Sequence, residues 1–457
     1  MNNTNIFDEL LYNKTVFQNR EVLRPTYIPE VLPHREPQIN QLASILVSAL
    51  KDETPSNIFI YGKTGTGKTA VVKLIGKALE KKANEITKNF KKNIFDITLQ
   101  QFDNGYNELM ESIFNKLDFS EIFGVELEKL LQKKINYIYI NCQHVDTQYR
   151  VLTHIANTMI SNWNERLPLT GLPTDEVYNR LLTSIDEFGG VTTIILDEID
   201  KLVEKSGDDI LYNLTRINSD LKNAKASIIG ITNNLKFTDF LDARVKSSLG
   251  EEELIFTPYD AEQIQDILKQ RALLAFYNGA IDPVVIPLCS ALAAQEHGDA
   301  RRALDLLRVS AELADRDGVG KVVERYVRKA LNKIEQDTVA EFIETLPPQS
   351  KLVLLGIVLN EEAGVDKLTT GMVFDTYKEL SKRLKLDILT QRRVTDLISE
   401  LDMHGIINAR VVSFGRGGRT RLIQMTIPIQ STKKILERTE LLRDLISFKP
   451  SIQATLL

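Results

Sequence analysis

Gly62-Lys63-Thr64-Gly65-Thr66-Gly67-Lys68-Thr69 matches the pattern G-x-x-x-x-G-K-[ST]. Glycines let the backbone curl until successive N–H groups point at phosphate oxygens, and a helix that follows adds the positive end of its dipole. In that pattern Lys68 reaches the β- and γ-phosphates and the Thr69 hydroxyl ligates Mg2+. A second group, Ile194-Ile195-Leu196-Asp197-Glu198, is an apolar run ending in two carboxylates. Asp197 is expected to hold the magnesium, directly or through water. Glu198 is expected to orient and polarise an attacking water as general base. The chemistry implied is nucleoside triphosphate hydrolysis. Asp200, two residues on, is assigned no chemistry.

For these groups to meet, strands must deliver them to one edge. Asn57–Tyr61, Ile135–Cys142, Thr192–Leu196 and Ala226–Thr232 are β-branched or apolar runs separated by helical patterns. Such alternation predicts a parallel sheet covered on both faces, and ligands bind at the C-terminal edge of such sheets. After Pro258 the strand runs stop. Ile264, Ile267, Leu268 and Leu274 keep helical spacing, with three further helical patterns up to about Asp337, which predicts a small helical domain. Helical patterns at 349–361 and 370–385 then precede a helix opened by Thr390, with Val394, Leu397, Ile398 and Leu401 on one face. Gly405 stops it, and the strand-like runs Ile406–Val412 and Thr420–Pro428 flank Ser413-Phe414-Gly415-Arg416-Gly417-Gly418-Arg419. Three helices and a hairpin is the winged-helix order. The first 25 residues lack periodicity and read as an arm. Residues 84–134, rich in Lys, Asn, Glu and Phe, read as a helical insertion.

Composition narrows the class. With 43% hydrophobic, 26% charged and 7% aromatic residues in 457, the chain is neither collagen-like, disordered nor a disulfide scaffold. Cys142 and Cys289 stand far apart without a Cys-x-x-Cys, so neither a structural zinc nor a disulfide framework is expected. Met1-Asn2-Asn3-Thr4-Asn5 is not a basic start leading into an apolar run, and no apolar stretch approaches membrane-spanning length, so a cytoplasmic protein without membrane contact is expected. The net charge is −5, yet residues 381–457 hold 14 Lys/Arg against 7 Asp/Glu. An acidic body with a basic end suggests that the tail meets a polyanion.

Seven spaced segments together resemble one family: Pro33-His34-Arg35-Glu36, the stretch Tyr61–Thr69, Leu196–Asp200, Gly230–Asn233, Asp242–Ser248, Gly298–Leu304 and Thr390–Val394. From about Tyr27 to Leu457 the chain is similar to the archaeal origin-recognition and cell-division-control type replication initiators, a branch of the AAA+ ATPases. The resemblance implies an α/β fold: an AAA+ parallel-sheet P-loop NTPase core at 26–257, a helical lid domain at 258–338 and a C-terminal winged-helix domain at 339–457. It implies ATP or ADP and Mg2+ as cofactors. It implies that Leu32, Pro33, His34 and Arg35 belong to a base-binding stretch, that Asn233 is the sensor-1 residue and that Arg301, rather than Arg302, is the sensor-2 arginine. Arg244 takes the position of the arginine finger, acting on nucleotide held by a neighbouring copy or a paralogous initiator. The insertion at 84–134 departs from the family pattern.

The polar face opposite Val394, Leu397, Ile398 and Leu401 offers Gln391, Arg392, Arg393, Thr395 and Ser399 to the major groove. Arg416, Arg419 and Arg421 would bring the wing to phosphate. By resemblance, a further DNA-touching helical element falls at Leu167–Leu172. The function implied is binding of double-stranded origin DNA, initiation of chromosomal replication and recruitment of the replicative minichromosome-maintenance helicase, with slow ATP hydrolysis as a switch on the nucleoid. A signalling NTPase whose winged helix makes only protein contacts is the alternative.

Overall fold

The computed structural model describes residues 15–100, 133–160, 162–365, 367–413 and 419–450; of residues 95–100, 413 and 419 it describes the backbone alone. Val327 and Arg328 mark the boundary between two compact units.

In the first unit, β1 (Ile58–Gly62), β2 (Ile135–Asn141), β3 (Gly190–Asp197), β4 (Ala224–Thr232) and β5 (Glu252–Phe256) form one sheet in the order β2-β3-β4-β1-β5. Every pairing is parallel. The four anticipated strands are present. The fifth was not anticipated, because Glu252-Glu253-Leu254-Ile255-Phe256 opens on two acidic residues. As an edge strand it buries Leu254 and Phe256 and leaves Glu253 and Ile255 outside.

Alternate residues of β1 serve opposite layers. Ile58 and Ile60 pack with Leu42, Leu46, Val71 and Val72 of α1 (Glu36–Leu50) and α2 (Lys68–Gln100). Phe59 faces a second core, built with α3 (Gln148–Met159), α4 (Thr174–Phe188), α5 (Ile199–Ser206), α6 (Asp209–Thr215) and α7 (Ala243–Leu249). Helices therefore cover both faces, as β-branched strands without polar alternation require. The insertion expected at 84–134 begins as an unbroken continuation of α2 to Gln100; residues 101–132 lie outside the described ones.

Next come α8 (Ala261–Ala275), α9 (Val285–Gln295), α10 (Ala300–Arg316) and α11 (Glu324–Thr345). Asp260 and Gln263 close a reciprocal capping box on α8, and Asp299 caps α10 by accepting from the Arg301 N–H at 2.7 Å. The expected N-terminal arm is not free over its described part. Val16, Phe17, Val22 and Leu23 are buried, and the Phe17 ring stacks on Phe276 with centroids 5.2 Å apart. The Gln18 N–H donates to Ala275 O at 2.8 Å, and Val16 donates to the Asp315 carboxylate at 3.0 Å. Four scattered apolar residues have no period to read, so only their burial reveals the docking.

In the second unit, α12 (Pro348–Glu362) is buried nearly all round, the mark of a central helix. Around it lie β6 (Leu368–Thr369), α13 (Thr370–Arg383), α14 (Gln391–Met403), β7 (Ile407–Ser413), β8 (Arg419–Met425) and α15 (Ile429–Glu437). The strands are antiparallel in the order β6-β8-β7. The three-helix-and-hairpin order holds. The two-residue β6 and the closing α15 are additions that periodicity did not reveal. Among the described residues no helix is long and apolar enough to cross a membrane.

Candidate functional site

The glycine-rich turn joins β1 to α2. Gly65 adopts φ +69°, and a β-carbon there would lie 1.6 Å from the Asp299 carboxylate, so both the backbone and the close approach require glycine. Buried Thr66 donates its hydroxyl to Lys63 O at 2.9 Å and fixes the turn. The Lys68 ammonium donates to Gly62 O at 2.8 Å and Lys63 O at 2.7 Å. Burial pushes this lysine down to about 8, against the pull of Asp197 and with the help of Arg301.

Asp197 ends β3, in register with Asn141 of β2 and Ile231 of β4, so the three strand ends form one rim. Its Oδ2 accepts from the Thr69 hydroxyl and from the Tyr139 hydroxyl, each at 2.7 Å. Tyr139 was missed by sequence reasoning. Its only signal is its place two residues before the end of β2, on the strand beside β3. Lys73 sits 3.7 Å from the centroid of the same ring.

Glu198 stands in the left-handed region, φ 57° and ψ 47°, a strained conformation for a side chain of this size. Its N–H is held by Asp197 Oδ1 at 3.0 Å, and α5 begins at the next residue with buried Ile199. The bend turns Glu198 into the cleft. Burial first, then the charges of Asp197 and Asp200, hold its carboxyl above the ordinary range. Asp200, for which no chemistry was expected, accepts from the Thr232 hydroxyl at 2.7 Å and pins the end of β4, where Asn233 follows. Thr69 and Asp197 offer hard oxygen donors side by side, the set Mg2+ shares with phosphates. Among the described residues no group of three or more His, Cys, Asp or Glu could hold a metal alone.

These residues line a cleft of about 400 Å3 that takes in Gly65, Thr66, Gly67, Lys68, Thr69, Asp197, Glu198, Asn233 and Arg301. Leu32 and Pro33 of the expected base-binding stretch line it too; His34 and Arg35 do not. Arg35 is instead a clamp. Its guanidinium donates to Thr66 O at 2.9 Å, Thr257 O at 2.7 Å and His34 O at 3.1 Å, and lies 3.8 Å from the Tyr259 ring centroid. His34 bonds Asp266 of α8 at 3.1 Å. Gly62, Lys63 and Thr64 shape the loop from behind without lining the cleft. Arg301 and Arg302 part company: Arg302 is taken by Glu296, Nε to Oε2 at 2.8 Å, and Arg301 faces the cleft. Tyr27, Ile28 and Pro29, where the stretch of base-binding resemblance begins, line it as well, and Gln270 and Arg271 are further lining residues that no motif flagged.

Arg244 lies outside the cleft on an exposed surface at the start of α7. Asp242 holds it at 3.0 Å, and its guanidinium is 5.0 Å from the Tyr212 ring centroid. The segment expected by resemblance to touch DNA lies between β2 and the carboxylate-bearing β3, but as a loop after a short 3-10 turn, Trp163–Glu165, not a helix. Asn157 anchors Leu167 through two hydrogen bonds of 2.9 and 2.7 Å, which leaves Trp163 and Leu169 exposed.

On α14, Val394, Leu397, Ile398 and Leu401 are buried, and Gln391, Arg392 and Arg393 are exposed on the other side. The Thr390 hydroxyl caps the helix, accepting from the Arg393 N–H at 3.4 Å. Thr395 returns its hydroxyl proton to Gln391 O at 2.9 Å. In the hairpin, Ser413 pairs with Arg419 and Val411 with Arg421. Arg421 hydrogen-bonds Ser399 of α14, so it ties hairpin to helix rather than standing free. Arg416, and the side chain of Arg419, lie outside the described residues.

Comparison with known proteins follows the same division. An AAA ATPase domain model matches residues 31–224, a Cdc6 AAA+ ATPase-type lid domain matches 265–332, and the CDC6 C-terminal winged helix domain matches 341–435. The chain is 51% identical to the ORC1-type DNA replication protein 1 of Methanosarcina mazei, covering 98% of this chain and 96% of that one. It is 49% identical to the ORC1-type DNA replication protein of Thermococcus kodakarensis, over 99% and 98%. Among solved structures, the Aeropyrum pernix ORC1 protein in complex with DNA superposes with a TM-score of 0.72 at 42% identity, covering 94% of this chain and 98% of that one. With half its residues shared over nearly the full length of such relatives, the chain belongs to the archaeal ORC1-type DNA replication proteins, AAA+ ATPases with a lid and a C-terminal winged helix.

Proposed function

We propose that this chain is an ATP-controlled initiator: it binds double-stranded origin DNA, starts chromosomal replication on the nucleoid and helps bring the replicative minichromosome-maintenance helicase to the origin. The observation that carries the reading is the convergence of Lys68, Thr69, Asp197, Glu198, Asn233 and Arg301 on one cleft, in a chain that also presents Gln391, Arg392 and Arg393 on a winged-helix recognition face. A relative of 42% identity was solved on DNA.

In this reading the loop N–H groups and Lys68 hold the β- and γ-phosphates, and Thr69 and Asp197 hold Mg2+, which would neutralise charge developing on the phosphates. Glu198 takes the proton of the attacking water as its oxygen bonds to γ-phosphorus and the bond to the ADP oxygen breaks. Asn233 steadies that water, and Arg301 on the lid senses the γ-phosphate. Arg244 supplies charge to nucleotide held by an adjacent copy or paralogue. Hydrolysis is slow and resets the grip on DNA.

Titration of a labelled origin duplex and a random duplex, each with ATP, with ADP and without nucleotide, tests the coupling. ATP should change origin affinity in the wild type and not in Lys68→Ala. A protein that binds no duplex, whatever the nucleotide, would overturn the reading.

A further inference from the structure

Tyr377 of α13 is fully buried in the core of the second unit. Its hydroxyl donates to Gln349 Oε1 at 2.6 Å and accepts the Leu389 N–H at 3.1 Å. Gln349, half-buried in the first turn of α12, in turn donates its amide N–H to Asp387 O at 3.2 Å. That bond fixes which end of the amide is oxygen, because the flipped amide would set two acceptors against each other. The relay therefore grips two points of the loop 384–390, which joins α13 to α14. The loop leaves α13 through a strained residue. Lys385 stands at φ 55°, with the Leu386 N–H on Ser381 O at 3.0 Å, a helix end that ordinarily takes glycine. Such strain persists only where the surroundings over-determine it.

Val394, Leu397, Ile398 and Leu401 set the depth and rotation of α14, but burial is non-directional and lets a helix slide along its axis. Directional bonds must stop the slide. Near the C-terminal end Asp402 accepts the Ala409 N–H at 2.9 Å, and Arg421 holds Ser399. At the N-terminal end the Tyr377 hydroxyl holds Leu389, one residue before the Thr390 cap and two before Gln391. That end is the one a recognition helix turns to base edges. We propose that Tyr377 and Gln349 are positioning residues for DNA recognition: they fix the axial register of α14 and so decide whether Gln391, Arg392 and Arg393 meet base edges. The proposal rests on the DNA reading above and adds the residues that make it selective. A side chain displaced by about 1 Å loses its base contact, while attraction to phosphate, which is independent of sequence, persists.

The test starts with the full wild-type chain, which enriches duplexes from a randomised pool. Affinity for the enriched duplex and for the unselected pool is then measured for wild type, Tyr377→Phe, Gln349→Met and the double variant. Each single variant should bind the enriched duplex about tenfold more weakly, the size of one good base contact. Affinity for the pool, and its salt slope, should stay as in wild type. Hydrogen exchange at the Leu389 amide should quicken in both. The double variant should lose no more than either single one, because the two side chains act through one relay. Equal losses on enriched and unselected DNA would mark a role in stability alone and overturn the proposal. So would an unchanged ratio in a variant whose Leu389 amide exchanges faster. Both outcomes leave the DNA reading standing. A wild type that binds duplex but enriches no sequence would overturn base reading by α14 and the relay's role with it. A wild type that binds no duplex would overturn the initiator reading itself.

Discussion

The Thr69 hydroxyl donates to Asp197 Oδ2 at 2.7 Å across 128 positions of sequence. Strand order brings them together. β1 and β3 flank β4, so the loop leaving β1 and the acid ending β3 emerge on one rim with a single strand between them. Crevices at such rims are where α/β sheets bind ligands.

Tyr139 shares that carboxylate oxygen, so Tyr139→Phe removes one of its two hydroxyl donors and leaves the ring. Outer partners of a metal ligand typically tune metal affinity 10–100-fold. The Mg2+ concentration for half-maximal ATP hydrolysis should rise about tenfold, with nucleotide affinity in the absence of Mg2+ unchanged. An identical Mg2+ profile would remove Tyr139 from the site.

Lys68 links pH to both folding and binding. Its affinity for the proton falls from the ordinary 10.5 to about 8 on folding. Between those values the unfolded chain keeps a proton that the folded chain has released, so this group makes the nucleotide-free protein more stable as pH rises through that window. A triphosphate restores the proton. Its affinity should therefore fall above pH 8, by up to about tenfold per pH unit, with proton uptake seen by calorimetry in buffers of different ionisation enthalpy. Lys68→Ala should bind no ATP and show no uptake.

Glu198→Gln keeps the size of the side chain and removes the base. Nucleotide binding should persist while turnover falls on the order of 10²–10⁴-fold. The carboxyl is held above the ordinary range, so wild-type turnover should rise with pH through that raised value as the base ionises. Normal turnover by the variant would exclude Glu198 as the base.

Arg301→Ala and Arg302→Ala separate two neighbours. The first should slow hydrolysis with little change in melting temperature. The second loses the pair with Glu296, worth about 0–1 kcal/mol at a partly exposed position, and should keep its turnover. The reverse pattern would exchange their roles.

Arg392→Ala with Arg393→Ala should weaken duplex binding and lower the salt slope by about one unit for each phosphate that the variant no longer neutralises. Arg421→Ala should act differently, loosening the hairpin from Ser399, so its effect should be matched in direction by Ser399→Ala. A slope unchanged in the double variant would exclude α14 as an element that meets phosphate.

Four strands, the phosphate loop, the Asp197-Glu198 pair and the apolar face of α14 were legible in the sequence alone. Each is local: a β-branched run, a glycine spacing, a carboxylate at a strand end, an i, i+3, i+4, i+7 repeat. Acidic β5 and two-residue β6 escaped because partner strands, not their own residues, make them strands. Resemblance put Arg35 in the base-binding stretch; in the fold its guanidinium is bonded to three carbonyls and does not line the cleft. Resemblance favoured Arg301 over Arg302; in the fold Arg302 is paired with Glu296 and Arg301 lines the cleft. Tyr139, Gln270 and Arg271 belong to no motif. Their parts in the site follow from which strands lie side by side and which lid helix faces the cleft, relationships between distant segments that only the packed chain decides.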